Sequence, residues 1–229
     1  NRVIQMGEAP ERVFAVGAMG VENALHMKRL SKKELEDSLG CKIGGTMAVL
    51  TFHPVTLEDN TAEAQIDEII KVMQQCGKIT FICTKANADV GGRIINEKLK
   101  ECAEACDNVY LFDSLGMQRY LSALSIADFV IGNSSSGIIE VPSFKIPTIN
   151  IGDRQKGRIQ SESVINCKPY AWEISQAIEK ALSDEFRKKV STCNNPYGDG
   201  NTSDVIVDIT ERYLIEDKLQ VQKKFYDIV

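Results

Sequence analysis

The chain has 229 residues, 43% hydrophobic, 26% charged and 7% aromatic, the balance of a globular protein with one sizeable core. Its formal charge of −5 excludes the general basic field that gathers nucleic acid or an anionic membrane surface, so an anionic ligand must be held by a local site. No apolar run approaches the roughly 20 residues of a membrane span. Seven cysteines without a CxxC pair point to reduced thiols in a cytosolic compartment, not to a disulfide framework.

The opening residues, Asn1 to Gly7, read as the last turn of a helix closed by Gly7, and so as the continuation of a longer chain. Apolar, β-rich runs follow at Val13 to Val16, Met47 to Phe52, Ile79 to Thr84, Val109 to Phe112, Phe129 to Ile131, Thr148 to Ile151 and Val164 to Ile165, and each is a strand candidate. His26 falls in a helical segment from Val21 to Lys28 and is expected to pack or to face solvent. Ile66, Ile69, Ile70 and Met73 recur three and four apart, as do Ile94, Ile95, Leu99, Cys102 and Cys106, each set marking one face of a helix. Cys102 and Cys106 stand one turn apart without a neighbouring His, so they read as packing residues and not as metal ligands. Helices also fit 116–126, 136–143 and 170–190. From Asn201 the pattern is helical only, with Val205, Ile206, Ile209 and Tyr213 on one face, before a charged tail from Glu216 to Val229.

Strand and helix alternating at this spacing, with strands apolar throughout, predict a doubly wound α/β fold whose parallel sheet is covered on both faces. Such sheets bind ligands beyond the carboxyl ends of their strands. Three post-strand loops carry chemistry there. Gly132 to Gly137 (GNSSSG) joins a strand to a helix, where small residues and unpaired amides form a phosphate cradle; a serine-capped helix start is the plain alternative. Glu140, six residues past Ser134, is near enough to accept hydrogen bonds from a ribose diol, though a solvated helical Glu is the commoner case. In GDRQKGR, at 152–158, Arg154, Lys156 and Arg158 follow a strand in an acidic chain, and the guanidinium of Arg154 is best placed for a diphosphate unless the segment is only a basic surface turn. His53, in TFHPVT, ends a buried strand, and the Pro54 turn holds its ring where it can bond a phosphate oxygen or transfer a proton.

The segments RVIQMGE, PERVFAVGAMGVEN, TFHPVT, GNSSSGIIEVPSF, PTINIGDRQKGR and NPYGDG occur in a fixed order. On these the chain resembles, nearly end to end, the second half of the hydrolysing UDP-N-acetylglucosamine 2-epimerases of sialic acid synthesis. The resemblance implies a Rossmann-like, UDP-binding C-terminal domain of a glycosyltransferase-B fold at 1–201, with a helical tail at 202–229 packing toward an N-terminal domain. It implies that Ser134, Ser135 and Arg154 hold the diphosphate, that Glu140 takes the ribose hydroxyls and that His53 is catalytic at the leaving-group side. Asn87 joins them, and the uracil meets backbone at Leu115 and packs near Tyr120. The implied reaction eliminates UDP to a 2-acetamidoglucal and then adds water, giving N-acetylmannosamine. The acid and base carboxylates come from the N-terminal half in cis, so this chain alone is expected to bind UDP or UDP-sugar without turnover. No cofactor or metal is implied, and the intact enzyme is expected to be a homo-oligomer.

His53-Pro54-Val55 stands where non-hydrolysing relatives carry an Arg-rich stretch, which favours the hydrolysing branch. The run from Ile159 to Val164 departs from the family pattern on the sugar side and keeps a diacetamido-trideoxyhexose open as the sugar. A glycosyltransferase of the same fold and a non-enzymatic nucleotide-binding domain are the readings from other classes.

Overall fold

The computed structural model describes residues 1–55, 61–87, 89, 91–216 and 222–227. Thr56 of the TFHPVT motif and tail positions 217–221 and 228–229 lie outside the described residues. Six strands, β1 (Thr46–Thr51), β2 (Ile79–Thr84), β3 (Val109–Phe112), β4 (Phe129–Gly132), β5 (Thr148–Ile151) and β6 (Val164–Cys167), form one sheet of order β3-β2-β1-β4-β5-β6, in which every pairing is parallel. Period-two alternation builds two cores from each strand. Ala48 and Leu50 of β1 face one cluster with Phe52, Phe81, Phe129 and Ile149, covered by α4 (Ala62–Gln75), α5 (Gly92–Ala105), α8 (Ala171–Leu182) and α9 (Asp184–Ser191). Met47 and Val49 face the other, with Ile82 and Val130, covered by α2 (Met19–His26), α3 (Lys32–Leu39) and α6 (Gly116–Ile126). Cys102 sits in the first core with Cys106 packed against it, and all seven thiols are free.

The strand order turns at β1 and β4, the switch point where open α/β sheets bind ligands. Gly132 ends β4 at φ 134°, and a Cβ there would stand 2.0 Å from the Thr51 carbonyl oxygen. Lacking that carbon, β4 closes on β1, and the Asn133 N–H donates to Thr51 O at 3.1 Å. Among the described residues no helix is long and apolar enough to cross a membrane.

The structure departs from the sequence-based expectations in several places. Val13 to Val16 is not a strand: Phe14 packs edge-on against Tyr213 of α10 (Thr202–Ile215), ring centroids 5.6 Å apart, so a helix takes up its apolar side chain. The helix expected at 136–143 is a single turn, α7 (Ser136–Ile139), followed by a 3₁₀ turn at Val141–Phe144, because Pro142 has no N–H to continue the ladder. The helix expected at 170–190 is two helices divided at Ser183, whose hydroxyl caps α9 by accepting from Phe186 N–H at 3.3 Å. The helical tail stops at Ile215, and residues 222–227 return to the start of the chain, where Tyr226 N–H donates to the carbonyl of Gly7 at 2.9 Å. The opening segment itself contains one helical turn, α1 (Arg2–Gln5).

Gly132→Ala forces a methyl into the β1–β4 junction at a positive φ. We expect a stability loss of about 2 kcal/mol or more in urea unfolding; an unchanged midpoint at unchanged slope would show that the two strands do not need this close approach.

Candidate functional site

The site begins with a clasp between His53, two residues beyond β1, and Asn133, the first residue beyond β4. His53 N–H donates to Asn133 Oδ1 at 2.7 Å, and Asn133 Nδ2 donates to the His53 carbonyl at 2.7 Å. A side-chain amide thus pairs with a peptide unit as a neighbouring strand would, at a residue that is 1% exposed. The Asn133 carbonyl accepts from Arg154 Nη1 at 3.1 Å and from Gln155 Nε2 at 2.7 Å. Gln155 is buried, and its Oε1 accepts from Arg158 Nη1 at 3.2 Å. The loops after β1, β4 and β5 are therefore tied through one residue. Sequence reasoning singled out neither Asn133 nor Gln155; the available signal was an amide directly following a buried strand.

The clasp fixes the chemistry of His53. The Asn87 backbone N–H donates to His53 Nδ1 at 3.1 Å, so Nδ1 is the acceptor and the proton of the neutral ring is on Nε2. Burial, aided by the Arg154 charge and partly opposed by Asp89, holds the imidazole pKa below its ordinary 6.5. Burial also lowers the pKa of Arg154, which keeps its charge near pH 7. The Asn87 side chain donates to Asp89 Oδ2 at 2.6 Å.

Beside the clasp lies a cleft of about 430 Å³ lined by His53, Leu115, Tyr120, Ser134 and Ser136, with Thr51, Lys85 and Asp113 at its wall. Lys85 and Asp113 form an ion pair. Tyr120 and Ser136 hydroxyls share a hydrogen bond at 2.6 Å, tying α6 to the serine loop, and burial raises the phenol pKa, so Tyr120 stays protonated. The Leu115 carbonyl accepts from Arg119 Nε at 2.8 Å. Ser135 occupies the N-cap of α7 without using its hydroxyl as a cap, and Ser134 Oγ accepts from Ser136 N–H at 3.4 Å. Of the three loop cations, Lys156 pairs with Asp153 at 3.1 Å and Arg158 is held by Gln155, so Arg154 is the one bonded to the serine loop. Larger clefts, of about 640 and 740 Å³, lie by the Asn195–Asn201 loop and by β6, so size alone does not select the site.

Four of the eight residues expected from sequence, His53, Leu115, Tyr120 and Ser134, line one cleft. Asn87 and Arg154 are joined to it through His53 and Asn133, and Ser135 through the serine loop. Glu140 lies outside that lining, its carboxylate turned toward α2, with Oε2 buried and without a hydrogen-bond partner. His26 is an exposed side chain whose Nε2 lies 2.9 Å from the Gly200 carbonyl oxygen.

A six-stranded parallel sheet with helices on both faces and a polar cluster at the switch point is a Rossmann-like α/β domain. Residues 1–211 match the family model described as UDP-N-acetylglucosamine 2-epimerase, and the chain belongs to that family. It is 41% identical over 189 residues to a Campylobacter jejuni protein named GDP/UDP-N,N'-diacetylbacillosamine 2-epimerase (hydrolyzing), a match covering 82% of this chain and 49% of that protein. It is 39% identical over 229 residues to the Escherichia coli polysialic acid biosynthesis protein P7, covering 100% of this chain and 58% of that one. The S. aureus MnaA structure with UDP has the same fold, with a TM-score of 0.72 at 18% identity over 98% of this chain and 60% of that one. The chain spans about half the length of the curated relatives it matches.

Two outcomes follow from the clasp. Asn133→Ala strands the His53 N–H and carbonyl and is expected to cost about 2 kcal/mol in chemical denaturation; a loss below about 0.5 kcal/mol removes Asn133 from the junction. Because the pKa of folded His53 lies below 6.5, the unfolded chain binds that proton more readily. Its effect on stability is nil above that value and turns destabilising as pH falls below it. His53→Gln should therefore flatten the pH dependence of unfolding below about pH 6.5, and an identical slope in both proteins refutes the assignment.

Proposed function

We propose that this chain is the UDP-binding half of a hydrolysing UDP-sugar 2-epimerase, acting on UDP-N-acetylglucosamine to give N-acetylmannosamine and UDP. The observation that carries the reading is the convergence of His53, Ser134 and Arg154 on Asn133 at the switch point of an acidic chain. Arg154 and the Ser134 and Ser135 region take the diphosphate, and the His53 Nε2–H donates to an oxygen of the leaving UDP. A neutral imidazole held in one tautomer stabilises charge that builds up as the C1–O bond breaks. The uracil meets the Leu115 amide above Tyr120, Glu140 takes the ribose, and Asn87 orients the His53 ring. In the overall reaction a base removes the C2 proton as UDP leaves with the C1–O electrons. Water then adds, its oxygen to C1 and a proton to the opposite face of C2. Those proton transfers belong to the other half of the protein, so the chain alone binds without turnover.

A second sugar is favoured by the relatives. A protein named for N,N'-diacetylbacillosamine and one named for polysialic acid synthesis are 41% and 39% identical to this chain, so relatedness leaves a UDP-diacetamido-trideoxyhexose in play. Joined to its N-terminal half, the protein should release free N-acetylhexosamine from one of the two UDP-sugars; release from neither refutes the epimerase reading.

Calorimetric titration of the 229-residue chain with UDP, GDP and ADP tests the nucleotide directly. Selective UDP binding is expected, and Arg154→Ala should weaken it by more than about 1 kcal/mol, since a charge-assisted hydrogen bond contributes roughly 1.5–3. Equal affinity in that variant takes Arg154 out of the site.

A further inference from the structure

The segment VGAMGVEN at 16–23 has no role in the site as described so far. It supplies the start of α2, and Gly20, its second residue, meets the Glu140 carboxylate. A Cβ on Gly20 would stand 2.2 Å from Glu140 Oε1, 3.0 Å from Cδ and 3.2 Å from Cγ, with the side-chain atoms of Glu140 as its three nearest neighbours. Glu140 is confined on its other sides as well. It follows directly on the single turn of α7, its N–H donates to Ser136 O at 3.0 Å, and Pro142 closes the chain behind it. Oε2 is buried without a hydrogen-bond partner, an unfavourable state for a carboxylate unless a ligand supplies donors. Two neighbouring hydroxyls suit the two oxygens of one carboxylate, and the nearby Tyr120–Ser136 hydrogen bond marks where the cleft approaches Glu140.

We infer that Gly20 is a specificity-determining position: by leaving a notch for the Glu140 carboxylate under α2, it makes the site discriminate a ribose diol from a sugar lacking those hydroxyls. The inference rests on the nucleotide reading above and adds to it a residue from a different element. Gly20 touches no ligand itself. A methyl group there occupies the place of Oε1, and Glu140, with no slack in its backbone, loses its register with the ribose.

The test is calorimetric titration with UDP and with 2′,3′-dideoxy-UDP, using the wild-type chain, Gly20→Ala, Glu140→Ala and the double variant. The wild type should prefer UDP by about tenfold or more, and Gly20→Ala should bring the two ligands within about twofold, as Glu140→Ala does. The double variant should match Glu140→Ala, since the methyl has nothing left to displace. Should Gly20→Ala fail to fold, the double variant should fold, because removing the carboxylate clears the space; failure of both to fold overturns the assignment. A Gly20→Ala protein that keeps the wild-type preference overturns it as well. A wild type that binds both ligands equally removes Glu140 and Gly20 from ribose recognition while UDP binding stands. A wild type that binds neither ligand overturns the nucleotide reading, and this assignment with it.

Discussion

The ligand end of this protein depends on two strands meeting more closely than side chains normally allow. Gly132 brings β4 onto β1, and Asn133, the next residue, spends both its amide groups on the peptide unit of His53. Parallel strands diverge beyond their last pairing, and the amide clasp extends the β1–β4 junction past both strand ends. That extra step holds His53 and Ser134 at one cleft, and it presents the Asn133 carbonyl to Arg154 and Gln155 from the loop after β5. The placement of the His53 backbone and of Arg154 thus follows from one small glycine and one buried amide, while the Asn87 N–H sets the ring tautomer.

On the proposed reading, the same arrangement is how an acidic chain provides for an anion. A long helix pointing its N-terminus at the loop would contribute a macrodipole, but α7 is a single turn cut short before Pro142. The positive charge comes instead from the loop after β5, where Lys156 is paired with Asp153, Arg158 bonds the neutral Gln155 amide, and Arg154 is bonded to the serine loop. Burial first, and then the same guanidinium, hold the His53 pKa below its ordinary value, so the cation favours the neutral ring.

The strands were legible because their apolar runs are near-continuous; Met47 to Thr51 could hardly be anything but a buried strand. Val13 to Val16 is similarly apolar and fails: Phe14 meets Tyr213 of α10 edge-on and stays 41% exposed, so an apolar run here marks a surface contact with a helix and not a sheet position. The unforeseen α3 had a readable signal, the reciprocal Ser31–Glu34 capping box, overlooked because its interior is so polar. In the loops, charge and small residues pointed to Arg154 and the serines. Asn133 carried only the weak signal of following a buried strand, because nothing in a sequence distinguishes an amide that clasps a peptide 80 positions earlier from one that faces water. The notch at Gly20 was hidden for the same reason: a glycine near a helix start reads as local geometry, and its partner is 120 positions later.

The carboxylates around the cleft bear on how the work is divided in the proposed reaction. A proton abstraction at C2 followed by reprotonation on the other face needs two acid–base groups able to change state. Here Asp113 is paired with Lys85, Asp89 accepts from Asn87, and Glu140 is lodged against Gly20. His53 has its Nδ1 occupied by a backbone amide that can only donate, so it offers a single Nε2–H and no shuttle through the ring. The carboxylates in and near the cleft are each engaged by a neighbour, and His53 offers one N–H. On the proposed reading this half of the molecule grips and stabilises the leaving nucleotide, and the groups that exchange protons with the sugar must enter from the other half, across the open side of the cleft.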